Sequence, residues 1–108
     1  MPPKATKRSG HQQRETLEAV FKALAHESRR QVLFVLHLHG GEMTAGEIAG
    51  RFSCSWPTTT RHLGVLRDAG LVTIEERGRE RIYRLEHDVL RSVVGDWLSW
   101  FESRPAKG

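Results

Sequence analysis

The stretch TAGEIAGRFSCSWPTTTRHLGVLRDAGLV, residues 44–72, decides the fold. Thr44-Ala45-Gly46-Glu47 has the form of a capping box, in which a threonine and a glutamate three residues on satisfy each other's free backbone N–H groups. It opens a short helix carrying Ile48, Ala49 and Phe52. Ser53-Cys54-Ser55 makes a tight turn. Ser55 then caps a second helix, which tolerates Pro57 in its first turn because the missing N–H has no partner there. This helix runs through Leu63 and Leu66 and stops near Gly70. Two helices joined in this way turn Ile48, Ala49, Phe52, Cys54, Thr59 and Leu63 towards each other. Thr59 is the odd member, a hydroxyl where an aliphatic side chain is usual. Left outside, at the start of the second helix, are Ser55, Trp56, Thr58, Thr60 and Arg61.

Upstream, Leu17, Val20, Phe21 and Leu24 follow the i, i+3, i+4, i+7 spacing of an amphipathic helix over 14–25. Ser28-Arg29-Arg30-Gln31 has a second capping-box pattern. It introduces a helix through Val32, Leu33, Val35, Leu36 and Leu38, apolar nearly all round and so expected to be central and buried. Gly40-Gly41 ends it.

Downstream the period changes to alternation. Leu71 to Glu76 reads as a strand, Arg77-Gly78-Arg79-Glu80 as a turn, and Arg81 to Leu85 as the returning strand. A last helix starts near His87-Asp88 and runs to about Ser103. A hairpin directly after a helix-turn-helix is a winged helix. The fold class is therefore mainly α (α+β), a winged helix-turn-helix with a two-stranded β-hairpin wing. Residues 1–13, rich in Pro, Lys, Ser, Gly and Gln, read as a disordered basic tail. Residues 14–103 form the domain, and 104–108 a frayed C-terminus.

Composition agrees with one small globular unit. A chain of 108 residues has room for one core. The charge is +4 and the sequence pI is about 9.8, which suits an anionic partner without choosing which. One cysteine, Cys54, cannot form an internal disulfide. The basic N-terminus has no apolar stretch behind it, so it is not a secretory signal. No apolar run approaches the ~18 residues that a membrane span needs. These features point to a reduced, cytoplasmic protein with no membrane partner.

The exposed face at residues 55–61 has the chemistry of duplex recognition. Recognition helices present their N-terminal residues to base edges. Arg61 can donate two hydrogen bonds to guanine O6 and N7. Thr58 and Thr60 can bond phosphates or base edges and touch thymine methyls. The helix N-terminus attracts phosphate, and Arg67 lies where it could hold another. Trp56 either packs on sugar and thymine methyls or covers the turn. On the wing, Arg77, Arg79 and Arg81, with Arg84 beyond, suit phosphate or the minor groove. They equally suit a charged turn that keeps an exposed edge soluble, since Glu75, Glu76 and Glu80 dilute them. Arg79, at the tip, is the wing residue best placed for DNA. Lys4, Lys7 and Arg8 either add salt-dependent affinity or only solubilise the tail.

Residues 16–101 resemble the ArsR-type family of small winged-helix repressors, through FKALAHESRRQVLFVL, through the stretch quoted first, and through ERGRERIYRL. The resemblance implies a homodimer that binds double-stranded operator DNA, usually a repressor released by an inducer, with the first and last helices as the dimer interface. It places His62 in the recognition helix as a packing and hydrogen-bonding residue that joins the DNA-binding set. The residues support the interface independently. The last helix carries Val89, Leu90, Val93, Val94, Trp97, Leu98, Trp100 and Phe101, a wider apolar band than one core contact requires. With Leu17, Val20, Phe21 and Leu24 of the first helix, Leu90, Val93, Val94, Trp97, Leu98 and Phe101 make the expected dimer surface.

Metal-sensing members of that family carry a cysteine pair before the turn, or Asp, His and Glu ligands on the last helix. Here the first stretch reads GGEMTAGEIAG and the second HDVLRSVVGDWLSWFE, with one histidine, His87. No metal or cofactor is therefore expected from the sequence, which leaves open whether a small-molecule effector exists. His37 and His39 close the second helix, where positive charge complements the dipole. His26 stands where the family often has a helix-capping Asp. Cys54 is either a packing residue of the turn or a thiol switch whose oxidation would disturb the recognition helix. No nucleophile–base pair or phosphate loop supports an enzyme. A winged helix that binds protein instead of DNA is the remaining rival class.

Overall fold

The computed structural model describes residues 10–53 and 55–102, with side chains from residue 14 onward. Cys54, the tail before Gly10 and the stretch from 103 onward lie outside the described residues, and so do the expectations that fall on them. The elements run α1 (Gly10–Leu24), α2 (Glu27–Leu38), β1 (Glu42–Thr44), α3 (Ala45–Arg51), α4 (Trp56–Asp68), β2 (Val72–Arg77), β3 (Glu80–Leu85) and α5 (His87–Ser99). Helix α1 begins four residues before the expected start at 14, taking Gly10 to Gln13 from the segment read as tail. Helix α5 ends at Ser99, short of the expected Ser103. Among the described residues, no helix is long and apolar enough to cross a membrane.

The four helices before the wing enclose a core that the sheet closes. Val20 and Ala23 of α1, Leu33 and Leu36 of α2, and Leu63 and Leu66 of α4 are buried together. Leu36 and Leu66 are wholly enclosed, and each such side chain contributes roughly 1.5–3 kcal/mol on burial. Helix α2 is buried on one face only. Phe34 and Leu38 are exposed, which corrects the expectation of a helix covered all round. The Ser28 capping box is also absent. The helix starts two residues earlier, at Glu27, with His26 in the cap position in place of Ser28 and no side-chain cap bond. At its other end Gly41 N–H returns to the Leu36 carbonyl at 2.8 Å, a six-residue closure that the positive φ of Gly40 and Gly41 permits.

The short loop between α1 and α2 is closed by two arginines. Arg29 Nε donates to the Ala23 carbonyl at 2.8 Å and Nη2 to Lys22 at 3.1 Å, while Arg30 Nη1 donates to Leu24 at 2.6 Å. These are terminal carbonyls of α1, which have no partner inside their own helix.

The wing is three-stranded. β3 is central, paired antiparallel with β2 and with β1, in the order β1-β3-β2. Two strands are expected from the sequence; the third, Glu42–Thr44, is only three residues long. It pairs Glu42 with Arg84, Met43 with Tyr83 and Thr44 with Ile82, and it buries Met43. The hairpin itself turns through Gly78 and Arg79, between the paired Arg77 and Glu80. Gly78 has φ +63° and no other residue there has positive φ, the signature of a two-residue turn with glycine first.

Candidate nucleic-acid interface

Helix α3 is set by the expected capping box. Glu47 N–H donates to Thr44 Oγ1 at 3.0 Å, and Thr44 N–H donates to Glu47 Oε1 at 2.9 Å. Helix α4 is capped by Ser55, with Thr58 N–H donating to its Oγ at 3.3 Å and that hydroxyl donating in turn to Thr58 Oγ1 at 3.0 Å. The Thr58 hydroxyl, half-buried, thus accepts from Ser55 and keeps its own proton for an outside acceptor. Thr59 is 3% exposed and donates from Oγ1 to the Ser55 carbonyl at 3.1 Å. That bond explains a hydroxyl at an inward position: a buried polar group needs a partner, and the preceding turn supplies one.

The outward face of α4 carries Trp56, Thr60 and Arg61, all exposed. Trp56 keeps 47% of its surface, too much for a residue that merely seals the turn. Arg61 has no ion-pair or hydrogen-bond partner among the described residues. Arg67 lies further along, touching its neighbour Asp68 at 3.2 Å in a largely exposed pair. Such pairs are worth little, so phosphate can replace the carboxylate.

His62 is not on this face. It is half-buried, with Nδ1 3.3 Å from Arg29 Nη1 and its ring 5.3 Å from that of His26. It lines a small crevice with Ser28, Val32, Phe52 and Thr59. Its place in the DNA-facing set is therefore corrected: one position after Arg61, the 100° step of the helix carries the ring round to α2. Burial, then the charges of Arg29, His26 and Arg61, hold its pKa below the ordinary imidazole value.

The wing arginines divide into two groups. Arg77 donates to Glu75 at 3.0 Å and lies 3.6 Å from Glu42. Arg84 donates to Glu75 at 2.7 Å and to Glu42 at 2.9 Å. Two acids and two bases on one sheet face cancel. Arg77, expected among the DNA-facing cations, is instead held within the wing. Hydrogen bonds from Arg77 and Arg84 hold the Glu75 carboxyl below the usual carboxylate range. Those bonds to Glu75 raise both guanidinium pKa values. Arg81 is only loosely paired, 3.8 Å from Glu76. Arg79, at the tip, has no partner among the described residues.

The first and last helices meet through aromatic rings. Phe21 and Trp97 have centroids 5.2 Å apart, and Trp97 and Phe101 5.1 Å. Leu90, Val93 and Val94 pack half-buried on the core, whereas Trp97, Leu98, Trp100 and Phe101 remain 40–79% exposed. No residue of α5 is fully buried. Leu17 and Phe21 are half-buried at the border of this surface, and Leu24 packs on the core. Val20 is corrected from the expected interface, because it is wholly enclosed within the protomer.

A capped helix-turn-helix, a basic wing tip and a helix pair with an uncovered aromatic face define a winged helix-turn-helix regulator of transcription. A helix-turn-helix domain family model matches residues 24–75. The transcriptional repressor SdpR of Bacillus subtilis is 37% identical over 79 residues, which are 73% of this chain and 84% of the repressor. The crystal structure of an ArsR-family transcriptional regulator superposes with a TM-score of 0.71 at 33% identity, over 84% of this chain and 95% of that one. The solution structure of a homodimeric winged helix-turn-helix DNA-binding domain from Mycobacterium bovis gives 0.67 at 25% identity, over 95% and 96%. The chain belongs to the ArsR family of winged helix-turn-helix transcriptional regulators.

Proposed function

We propose that this chain is a homodimeric, sequence-specific DNA-binding repressor that works in the cytoplasm and reads its operator with the first two turns of α4. The observation that carries the reading is the state of that helix face. Ser55 caps the helix, Thr59 is tied inward, and Thr60 and Arg61 stand exposed, with the Arg61 guanidinium unengaged among the described residues. Arg61 reads base edges in the major groove; Ser55, Thr58, Thr60 and Arg67 hold phosphates or bases beside it; Trp56 lies on sugar and thymine methyls. Arg79, and more loosely Arg81, reach the neighbouring backbone or minor groove from the wing.

The dimer forms through the outer faces of α1 and α5. Exposed Trp97, Leu98 and Phe101 on one ridge make a patch that a second copy would cover. The homodimeric M. bovis domain supports the same assembly here.

The test is selection of bound duplexes from a random DNA pool, with and without zinc and with and without oxidant, together with sedimentation of the protein alone. The expected result is a dimer that selects a twofold-symmetric site, its half-sites about 10 base pairs apart, whatever the zinc or oxidant. Protein that stays monomeric at micromolar concentration and prefers no duplex would overturn the reading.

A further inference from the structure

Arg29 touches three helices. It lies in the first turn of α2, its Nε and Nη2 hold the Ala23 and Lys22 carbonyls at the end of α1, and its Nη1 is 3.3 Å from His62 Nδ1 on α4. α1 carries part of the proposed dimer face, and His62 adjoins Arg61 in the proposed reading helix. A guanidinium is planar and presents its donors in a fixed fork, so the three contacts set the relative orientation of the two helices. Arginine has no acceptor and does not lose its proton. The contact with His62 therefore requires a lone pair on Nδ1, and so a neutral imidazole with its proton on Nε2.

We propose that Arg29 is a positioning residue for DNA recognition: through neutral His62 it fixes α4 against the end of α1, and a proton added to His62 releases the reading helix. The proposal rests on the reading of α4 as the DNA-contacting helix. The charged or titratable groups that face His62 are Arg29 from α2, His26 from the bend before it, and Arg61 from α4 itself. All are basic. Among the described residues no carboxylate bonds to the ring, so nothing offsets the repulsion that a second proton would meet. Burial and these charges favour the neutral ring in the fold. A group whose folded pKa is lowered contributes fully above its ordinary value. The contribution is lost as the pH falls from there through the lowered one. Acid thus breaks the link.

This sign is opposite to the usual one. Protonated histidines near DNA add positive charge and tighten phosphate binding. The experiment measures affinity of the full chain for its selected duplex and for a scrambled duplex of equal length, between about pH 7.5 and about pH 5.5. The parent should lose ~10-fold in preference for the selected duplex over that range. Arg29→Lys, which cannot hold three acceptors in one plane, should lose ~10-fold at the upper pH with dimerisation unchanged. His62→Gln offers Arg29 an oxygen that does not titrate. It should keep the parental preference at the upper pH and hold it flat on acidification. A separate readout needs no DNA: nitrogen NMR of the free protein should show the Nε2–H tautomer of His62.

Parental preference that rises or stays level in acid, Arg29→Lys binding as tightly as the parent, or a proton on Nδ1 at neutral pH would each overturn the proposal. If the protein selects no duplex at all, the reading of α4 fails first and takes this inference with it. Specific binding with an unaffected Arg29→Lys sinks the inference alone. Should Arg29→Lys fail to fold, the parent against His62→Gln decides.

Discussion

The rings of Phe21 and Trp97 meet at 5.2 Å between centroids and 75° between planes, joining the first helix of the chain to the last. Each ring shields part of the other, yet Trp97 is still 40% exposed and Phe101, set edge-on beyond it, 69%. The intramolecular contact therefore orients the aromatic ridge without covering it. A second copy that covers the ridge would meet it already ordered, which lowers the entropic cost of association.

Trp97→Ala removes the centre of that ridge. We predict a dimer weakened by ~2 kcal/mol, about 30-fold in its dissociation constant. Sedimentation over a concentration series checks this. DNA affinity should fall only where the protein has become monomeric. A variant that dissociates no more readily than the parent would place the interface elsewhere.

Three arginines separate base reading from charge. Arg61→Ala should weaken binding to the selected duplex by ~1–3 kcal/mol and relax preference at one base position, with folding and dimerisation intact. Arg79→Ala should weaken all duplexes alike and reduce the salt slope by about 1 per protomer. Arg77→Ala should change binding much less, because its guanidinium is already held by Glu75 and Glu42. Titrations at several salt concentrations distinguish the three outcomes.

Glu75 restrains Arg77 and Arg84, so removing its charge should free them. Glu75→Gln is expected to raise affinity for any duplex and steepen its salt dependence by about 1. Acid should do the same to the parent, with the sign fixed by the lowered carboxyl pKa. The ion-pair network is complete above the ordinary glutamate value and comes apart as the pH falls through the lower value of the fold. Carbon NMR of the Glu75 carboxyl should place its midpoint below that of glutamate in a free peptide.

Thr44 ends a strand and caps a helix at once. Thr44→Ala deletes the acceptor for Glu47 N–H and should cost ~1 kcal/mol, a fall of about 4–8 °C in Tm. Thr44→Ser should recover most of the loss. An unchanged Tm for the alanine variant would show that the box contributes nothing to stability.

What the sequence revealed depended on how local its cause was. The caps at Thr44 and Ser55, the inward set around Leu63 and the Gly78 turn follow from neighbouring residues, and all were legible. β1 was not, because three residues carry too little alternation, and their strand state comes from pairing with Arg84, Tyr83 and Ile82 some 40 positions away. The alternation of a buried Met43 between Glu42 and Thr44 was the one hint. His62 and Arg77 were misplaced for a related reason. Each sits in a stretch of the expected composition, but its direction is set by partners that the linear pattern does not show: Arg29 and His26 for one, Glu42 for the other. Arg29 and Arg30 stood in the sequence only as the middle of a capping-box pattern, and the fold brings the carbonyls of Lys22, Ala23 and Leu24 beneath them. His37 and His87, scattered in the sequence, approach to 3.5 Å.

Thr44 hydrogen-bonds into α3 and is also paired with Ile82 of the hairpin. The chain has no hinge between those two roles, so a swing of the wing would drag the helix-turn-helix with it. The wing and α3 of each half of a dimer would then meet the double helix as one block. Adjustment to the spacing of an operator would fall to the seam between the two copies.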